Sequence, residues 1–278
     1  MRTQNKKHRL IRKHKAGPNF TGQHLLHHPG TIHRLIETIR LQSDETVLEI
    51  GAGKGSLTFP IAKKAGKVIA VEIDADFAGV LRAKAEGHPH IKIVQGDIRQ
   101  LKLPTGPFCV VANIPFSITT AILVKLLESE GRCFQRGALI LEKGAARRFT
   151  QNATLDPRLL MWKMQFHIDI REVVPRTYFA PPPRVDAAIV RIVRREQPLV
   201  PGKEGRRFAS FAAYLLRRPK LMAADALRGI FTPAQLKHAL SHAEVGREQA
   251  VSSLSLAQWA ELYLAMLRHV APHRWPKG

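Results

Sequence analysis

The chain has few of the residues that build disulfide or zinc scaffolds. Only two cysteines, Cys109 and Cys133, occur among its 278 residues. Neither belongs to a C-x-x-C pair or stands at zinc-ligand spacing, and the thirteen histidines are scattered. We therefore expect both thiols to be buried and reduced, and we predict no metal site.

Long apolar runs are also missing from the sequence. No stretch approaches the ~20 apolar residues that a membrane-spanning helix needs. The basic start lacks the apolar segment of a signal peptide. We expect a cytoplasmic monomer without a membrane or an obligate protein partner.

Acidic residues are scarce, with 22 Asp and Glu against 44 Lys and Arg and a net charge of +22. This surplus indicates a polyanionic partner, and nucleic acid more than a membrane surface, because solubility alone needs only a modest charge. No acidic residue precedes Glu37, so the sequence predicts a basic arm at residues 1–18. We expect this arm to become ordered only when it binds phosphate groups. A merely solvated tail is the alternative. The candidate RNA-binding residues of the arm are Arg2, Lys6, Lys7, Arg9, Arg12, Lys13 and Lys15.

Short β-branched runs alternate with helical patterns from residue 46 onward. Strands are predicted at 46–50, 68–72, 91–94, 108–112 and 138–142, with helices at 57–64, 76–85 and 119–127. The alternation predicts an α/β fold with a parallel, Rossmann-like sheet. Two later runs, 168–174 and 187–193, predict an antiparallel pair that closes the sheet.

After Arg195 the pattern changes to amphipathic helices behind a linker that contains Pro and Gly. Thr232 and Ser255 can cap two of these helices. We predict an α/β domain at 19–195 and a smaller, all-helical, RNA-binding domain at 196–278. Its paired arginines, at 206–207 and 217–218, either extend an RNA surface or are ordinary solvated positions.

A glycine-rich turn follows the first predicted strand. Gly51 and Gly53 let the backbone turn tightly and approach a ligand without interference from a Cβ atom. The spacing is G-x-G-x-G, whereas dinucleotide sites prefer G-x-G-x-x-G. A tight turn without a ligand is the plain alternative.

Two acids follow the next two strands and argue for a ligand. Glu72 ends the second strand, and Asp97 follows the third, so both reach the crevice where open α/β sheets bind ligands. We predict a cofactor that contains adenosine. Its ribose would bind Glu72, its adenine amine would bind Asp97, and Ile73 and Ile98 would be apolar walls.

The fourth strand ends in Asn113, Ile114, Pro115 and Phe116. The amine at adenine N6 is a poor nucleophile because its lone pair is delocalised into the ring. The side-chain oxygen of Asn113 and the carbonyl of Ile114 can accept its two N–H bonds, Pro115 stiffens the turn, and Phe116 can stack on the base. Alone, these residues would be read as a turn beside a core phenylalanine.

Together these motifs make the sequence resemble the Erm family of ribosomal RNA adenine-N6 dimethyltransferases, which confer resistance to macrolides, lincosamides and streptogramin B. The resemblance covers most of the chain: 19–24, 49–55, Glu72, Asp97, 113–116, 142–146, 179–186 and 228–233. It implies S-adenosylmethionine as cofactor and an adenosine of 23S rRNA as target.

The resemblance also implies roles for individual residues. His24 and Leu26 would border the methionine part of the cofactor, and Gly51 would contact it through its backbone. Asn113 would touch both cofactor and target. Phe116 and Phe179 would sandwich the flipped adenine, which offsets lost stacking. Two departures are minor: relatives often have Tyr in place of Phe116 and Ser in place of Ala187.

Three other functions compete with this interpretation. The 16S rRNA adenine dimethyltransferases share the chemistry, but would be expected to show Gly-Gln-Asn-Phe and Asn-Leu-Pro-Tyr where this chain has Gly-Gln-His-Leu and Asn-Ile-Pro-Phe. A non-enzymatic RNA-binding protein with a relic pocket would not need the intact motifs. A nicotinamide-dependent oxidoreductase disagrees with the glycine spacing and leaves the basic arm unexplained.

Overall fold

The chain forms a mixed sheet flanked by helices and followed by a helical region. The computed structural model describes residues 24–151 and 154–276. The predicted basic arm and its candidate RNA-binding residues lie outside the described residues.

The described strands are β1 Leu25–Leu26, β2 Thr46–Ile50, β3 Lys67–Glu72, β4 Ile91–Gln95, β5 Phe108–Asn113, β6 Phe134–Glu142, β7 Phe166–Val174, β8 Phe179–Ala180 and β9 Ala187–Arg194. The described α-helices are α1 Pro29–Glu37, α2 Thr58–Ala62, α3 Ala75–Ala85, α4 Thr119–Leu127, α5 Lys143–Thr150, α6 Pro157–Gln165, α7 Gly205–Leu215, α8 Ala223–Leu227, α9 Pro233–His242 and α10 Leu256–His269.

The main sheet has the strand order β4-β3-β2-β5-β6-β9-β7. Its first five strands are parallel, and β9 runs antiparallel to both β6 and β7. The predicted α/β, Rossmann-like sheet and its closing antiparallel pair are therefore confirmed. Because β2, β3 and β5 are parallel neighbours, their last residues, Ile50, Glu72 and Asn113, lie along the same edge of the sheet.

Helices cover both faces of the sheet, which explains why its strands are continuous apolar runs. The side chains of β2 alternate between two core clusters: Leu48 and Ile50 belong to one, and Val47 to the other. Strand β5 is buried from Phe108 to Ala112. A parallel sheet buried in this way holds the strand ends rigidly, and the loops after them carry the candidate site.

The region after β9 is helical, as predicted, and has a core of its own. Phe211 packs edge-on against Trp259 and Tyr263, with ring centroids 6.2 and 5.6 Å apart. Thr232 and Ser255 cap α9 and α10, each in a reciprocal capping box with the glutamine three residues later. The division at residue 195 into two domains remains a prediction.

Several local predictions were wrong. The helix predicted at 57–64 is only Thr58–Ala62, and β6 begins at Phe134 instead of residue 138. Gln135 and Arg136 interrupt the apolar pattern there. The register shifts at Gln135, and Arg136 resumes the pairing with β5 opposite Cys109. Cys109 is buried as expected, but Cys133 is only half-buried, with Sγ 2.9 Å from the carbonyl oxygen of Thr105. Across 24–151 and 154–276, no helix is long and apolar enough to cross a membrane.

Candidate active site

A cavity opens at the edge of the sheet where the parallel strands end. It is lined by His24, Leu25, Gly51, Gly53, Glu72, Ile73, Asn113, Ile114, Pro115 and Phe116. The structure therefore brings together most of the predicted site residues from four separate segments. Leu25 was not predicted, because nothing in its sequence context distinguishes it from a core leucine.

The glycine turn exposes bare backbone to this cavity. Gly51 and Gly53 adopt φ values of +73° and +55°, in the left-handed region that L side chains rarely occupy. A Cβ atom on Gly53 would come within 2.8 Å of the Leu25 side chain. The turn leaves no room for a side chain at Gly53, and it fits the close backbone approach that a bound cofactor requires.

Glu72 lies at the floor of the cavity as a buried carboxylate. Its Oε2 accepts a hydrogen bond from the Gly53 amide at 2.7 Å, and its Oε1 accepts one from the Asp74 amide at 2.9 Å. These bonds lock the carboxylate against the glycine turn. Each oxygen keeps a second lone pair, so the arrangement fits the predicted acceptor for ribose hydroxyls.

Glu49 is a feature of the site that sequence reasoning did not assign. Its side chain is 0% exposed, Oε2 accepts a hydrogen bond from the Thr58 hydroxyl at 2.6 Å, and Oε1 has no partner among the described residues. Burial raises the pKa of Glu49 to about 8, so the neutral acid predominates at neutral pH. An acid within the apolar strand Thr46–Ile50 was the available signal.

The Asn113 amide is oriented by the residue that precedes β1. Its Nδ2 donates to the carbonyl oxygen of His24 at 2.7 Å, which leaves Oδ1 as an acceptor. The His24 ring is fixed too, with Nδ1 2.8 Å from the carbonyl oxygen of Pro181. Strand β1 itself pairs with β8, opposite Ala180 and Phe179. The site therefore depends on a small second sheet that the sequence did not predict.

The two aromatic residues predicted to sandwich a base are placed differently. Phe116 lines the cavity, and its ring centroid lies 5.9 Å from that of His24 at a tilt of 41°. Phe179, the first residue of β8, is only 2% exposed and belongs to the same core cluster as Val47. Its predicted role stays a prediction, and it requires a conformational change that uncovers the ring.

Three further predicted cofactor residues do not line this cavity. Leu26 and Ile98 are buried core residues, at 3% and 5% exposure. The carboxylate of Asp97 is held by Arg99, whose Nη2 lies 2.6 Å from Oδ2. This hydrogen bond to Arg99 lowers the pKa of Asp97 below its ordinary value. Asp97 is thus kept ionised as an acceptor, but an adenine amine would have to share it with Arg99.

No group of three or more His, Cys, Asp or Glu side chains could hold a metal ion within the part of the chain that the structure describes. The cavity instead offers backbone amides, one buried carboxylate, an oriented amide and an aromatic face. Together with the sheet, these features define an S-adenosylmethionine-dependent methyltransferase.

The family description "Ribosomal RNA adenine dimethylase" matches residues 14–267. The chain belongs to this family, and it is an rRNA adenine-N6-methyltransferase. The family resemblance found in the sequence is confirmed.

Individual relatives carry two kinds of name. The chain is 40% identical over 279 residues to "rRNA adenine N-6-methyltransferase" of Bacillus licheniformis, an alignment that covers 100% of this chain and 97% of the relative. It is 31% identical to "Ribosomal RNA small subunit methyltransferase A" of Lactococcus lactis, over 96% of this chain and 95% of the relative. The crystal structure of "23S rRNA methyltransferase ErmE" is 32% identical, with a TM-score of 0.76 over 87% of this chain and 99% of that one.

Proposed function

We propose that this enzyme transfers one or two methyl groups from S-adenosylmethionine to N6 of a single adenosine in 23S rRNA. In a bacterium, the modification would confer resistance to macrolides, lincosamides and streptogramin B. The observation that carries the chemistry is the Asn113 amide, whose Oδ1 is left as an acceptor beside the glycine turn.

The proposed mechanism needs each group only to position and polarise. Bound S-adenosylmethionine supplies a methyl group on a cationic sulfur. The Asn113 Oδ1 atom and the Ile114 carbonyl accept hydrogen bonds from the two N6–H groups and draw lone-pair density back onto nitrogen. Phe116 stacks on the base and holds its plane. N6 would form its bond to the methyl carbon as the carbon–sulfur bond breaks, the neutral thioether would leave with the cofactor, and N6 would lose one proton to water. Orientation and electrostatics supply the rate enhancement in such a direct displacement.

Of the proposed cofactor contacts, those of Gly51, Gly53, Glu72, His24 and Ile73 lie in the cavity, whereas Asp97 and Leu26 lie outside its lining. Gly51 and Gly53 approach through backbone, Glu72 accepts the ribose hydroxyls, and Asp97 accepts the adenine amine beside Arg99. His24 and Leu26 would border the methionine portion. Ile73, at 45% exposure, lies at the mouth of the cavity and would become covered on binding.

The choice of 23S rRNA rests on two supports. The chain resembles ErmE over nearly all of that structure, and it has Gly-Gln-His-Leu and Asn-Ile-Pro-Phe at the two diagnostic motifs. A 16S target is the second candidate, because the small-subunit relative from Lactococcus lactis aligns with almost the whole chain. A relic pocket without activity would leave the oriented amide and locked carboxylate without a purpose.

The test is methylation of purified 23S and 16S rRNA in parallel with labelled S-adenosylmethionine, followed by mapping of reverse-transcription stops. Label at one adenosine of 23S rRNA is expected, together with drug resistance in a sensitive bacterium that expresses the chain. Label confined to 16S rRNA would refute the proposed target. The Asn113→Ala variant, expressed in the same host, should leave that host sensitive.

A further inference from the structure

A groove of about 580 Å³ lies between α5, α6 and α7, outside the catalytic cavity. We call it the α5–α7 groove. Its polar and aromatic lining includes Thr120, Arg148, Arg158, Trp162, Tyr214 and Arg217. The small residues Ala209, Ser210 and Ala213 of α7 line it as well, so this stretch of the helix leaves space for a ligand.

One end of the groove, at Thr120, lies near the edge of the sheet that carries the catalytic cavity. Thr120 lies in the first turn of α4, four residues after Phe116. Helix α5 begins at the carboxyl end of β6, the strand beside β5. Since β5 and β6 are parallel, both helices start at the edge where Asn113 lies. A strand of substrate that enters the cavity can therefore continue into the groove.

The groove is positively charged. Arg148, Arg158 and Arg217 line it against one carboxylate, Asp156, whose Oδ1 already accepts the amide hydrogens of Arg158 and Leu159 as the cap of α6. Arg148 and Arg217 are exposed and have no ion pair with a carboxylate among the described residues. Their guanidinium groups are available to phosphate.

Tyr214 is the aromatic surface that the groove presents. Phe149 and Trp162 are buried, whereas Tyr214 is half-exposed. A Cβ atom at Gly229 would lie 2.5 Å from the Tyr214 hydroxyl, so the phenol rests directly on backbone. The guanidinium of Arg217 lies 5.8 Å from the ring centroid. A fixed ring with a cation beside it suits a nucleobase and its phosphate.

We propose that the α5–α7 groove binds the RNA nucleotides next to the target adenosine, with one base stacked on Tyr214 and the adjoining phosphates between Arg148 and Arg217. This inference rests on the proposed function for its substrate, but it concerns binding away from the reacting nitrogen. Stacking on a π-face tolerates any base, so the groove grips the strand and adds little sequence preference.

The test measures RNA affinity of the full chain by fluorescence anisotropy, with a 23S rRNA fragment that contains the target adenosine. The double variant Arg148→Ser/Arg217→Ser should bind at least tenfold more weakly, and its salt slope should fall by about 1.4 to 1.8 because two phosphates no longer have a cationic partner. Arg82→Ser/Arg247→Ser is the matched control, because it removes the same charge at residues that do not line the groove. It should change affinity less than threefold.

Tyr214 is tested with two substitutions. Tyr214→Phe keeps the stacking face and should bind like the wild type, whereas Tyr214→Ala should bind about tenfold more weakly. Thermal unfolding checks that each variant folds. If Tyr214→Ala unfolds, 4-thiouridine beside the target adenosine provides the second measurement, with a crosslink to a peptide of α7 as the expected result.

Two results would overturn the proposal. Equal decreases in RNA affinity for the groove and control variants would show that the loss comes from the lower net charge and not from the groove. A groove variant that binds RNA normally but no longer binds a polyglutamate peptide would assign the groove to an acidic protein. The assay requires no methyl transfer, so its outcome is separable from the proposed function. If the wild type methylates 23S rRNA and the groove variants bind RNA as tightly as the wild type, only the proposed role of the groove is refuted.

Discussion

The side-chain amide of Asn113 is held by the backbone of His24, 89 residues earlier, through a 2.7 Å bond from Nδ2 to the carbonyl oxygen. Because the nitrogen is used, Oδ1 is the atom left to accept a hydrogen bond from a substrate amine. The carbonyl is fixed in turn, since Leu25 pairs with Ala180 in the small sheet. The orientation of the proposed catalytic amide is therefore a property of the tertiary fold.

Substitution of Asn113 should separate orientation from charge. Asn113→Asp keeps an acceptor oxygen but turns a second oxygen toward the His24 carbonyl, which repels it. We expect Asn113→Asp and Asn113→Ala to slow single-turnover methyl transfer by on the order of 10²-fold or more, with RNA affinity nearly unchanged. Filter binding and a labelled-methyl assay measure the two quantities. A near wild-type rate for Asn113→Asp would show that the amide orientation has no role.

Alanine substitutions at two glycines separate the effect of backbone strain from the effect of a side chain in the cavity. Gly53 and Gly87 both have positive φ, but a Cβ atom on Gly53 would meet Leu25 while one on Gly87 would meet nothing within 4 Å. Alanine at either position should cost about 1–2 kcal/mol of stability for the left-handed backbone. Only Gly53→Ala should also weaken cofactor binding, by tenfold or more in calorimetry. Equal cofactor affinity in both variants would show that the cofactor does not bind against this turn.

The Glu72 carboxylate should be essential for cofactor affinity. In Glu72→Gln one oxygen becomes an NH₂ group, which cannot accept the amide hydrogen of Gly53 or Asp74. We expect S-adenosylmethionine to bind at least tenfold more weakly in calorimetry. Glu37→Gln, at an exposed position of α1, removes the same charge and is the control. If both variants bind the cofactor alike, Glu72 is a structural residue of the turn.

Much of the fold and part of the site could be predicted from local sequence. Strand β2 was predicted with its observed bounds because Thr46–Ile50 is an apolar, β-branched run between polar turns. Gly51, Gly53, Glu72 and Asn113 converge because parallel strands present their carboxyl ends at one edge. That step needs only the strand order of an open α/β sheet.

Contacts between distant segments could not be predicted in this way. The bond from Asn113 to His24 and the pairing of β1 with β8 join segments with no shared periodicity. Burial of Phe179 likewise depends on tertiary packing, and an aromatic residue two positions before Pro181 looks the same in sequence whether it is exposed or buried. The hydrogen bond from Arg99 to Asp97 is local in sequence, but the sequence does not show that this bond occupies the carboxylate that a ligand would use.

Deletion of the basic arm should weaken RNA binding without altering the cofactor site. Removing residues 2–15 deletes the seven candidate cations of the arm. Each of these cations would displace a counterion from the RNA on contact with a phosphate. We expect a marked decrease in RNA affinity and a shallower salt dependence, by about 0.7 to 0.9 for each phosphate that the arm neutralises. Titration in a salt series, with cofactor affinity as the control, measures both. An unchanged slope would make the arm dispensable for RNA.

Glu49 should make stability depend on pH in a direction opposite to most carboxylates. Its pKa is about 8 in the folded chain against an ordinary 4.5, so the folded state keeps a proton that the unfolded state has released between these values. Stability contributed by the neutral acid is therefore present below 4.5 and lost as pH rises toward 8. Glutamine cannot ionise, so Glu49→Gln should gain stability relative to the wild type, by on the order of 4 kcal/mol between about pH 5 and pH 9. Urea unfolding at both pH values measures the difference, with Glu37→Gln as the exposed control. A difference between wild type and Glu49→Gln that stays constant with pH would mean that the buried carboxyl finds a partner and ionises normally.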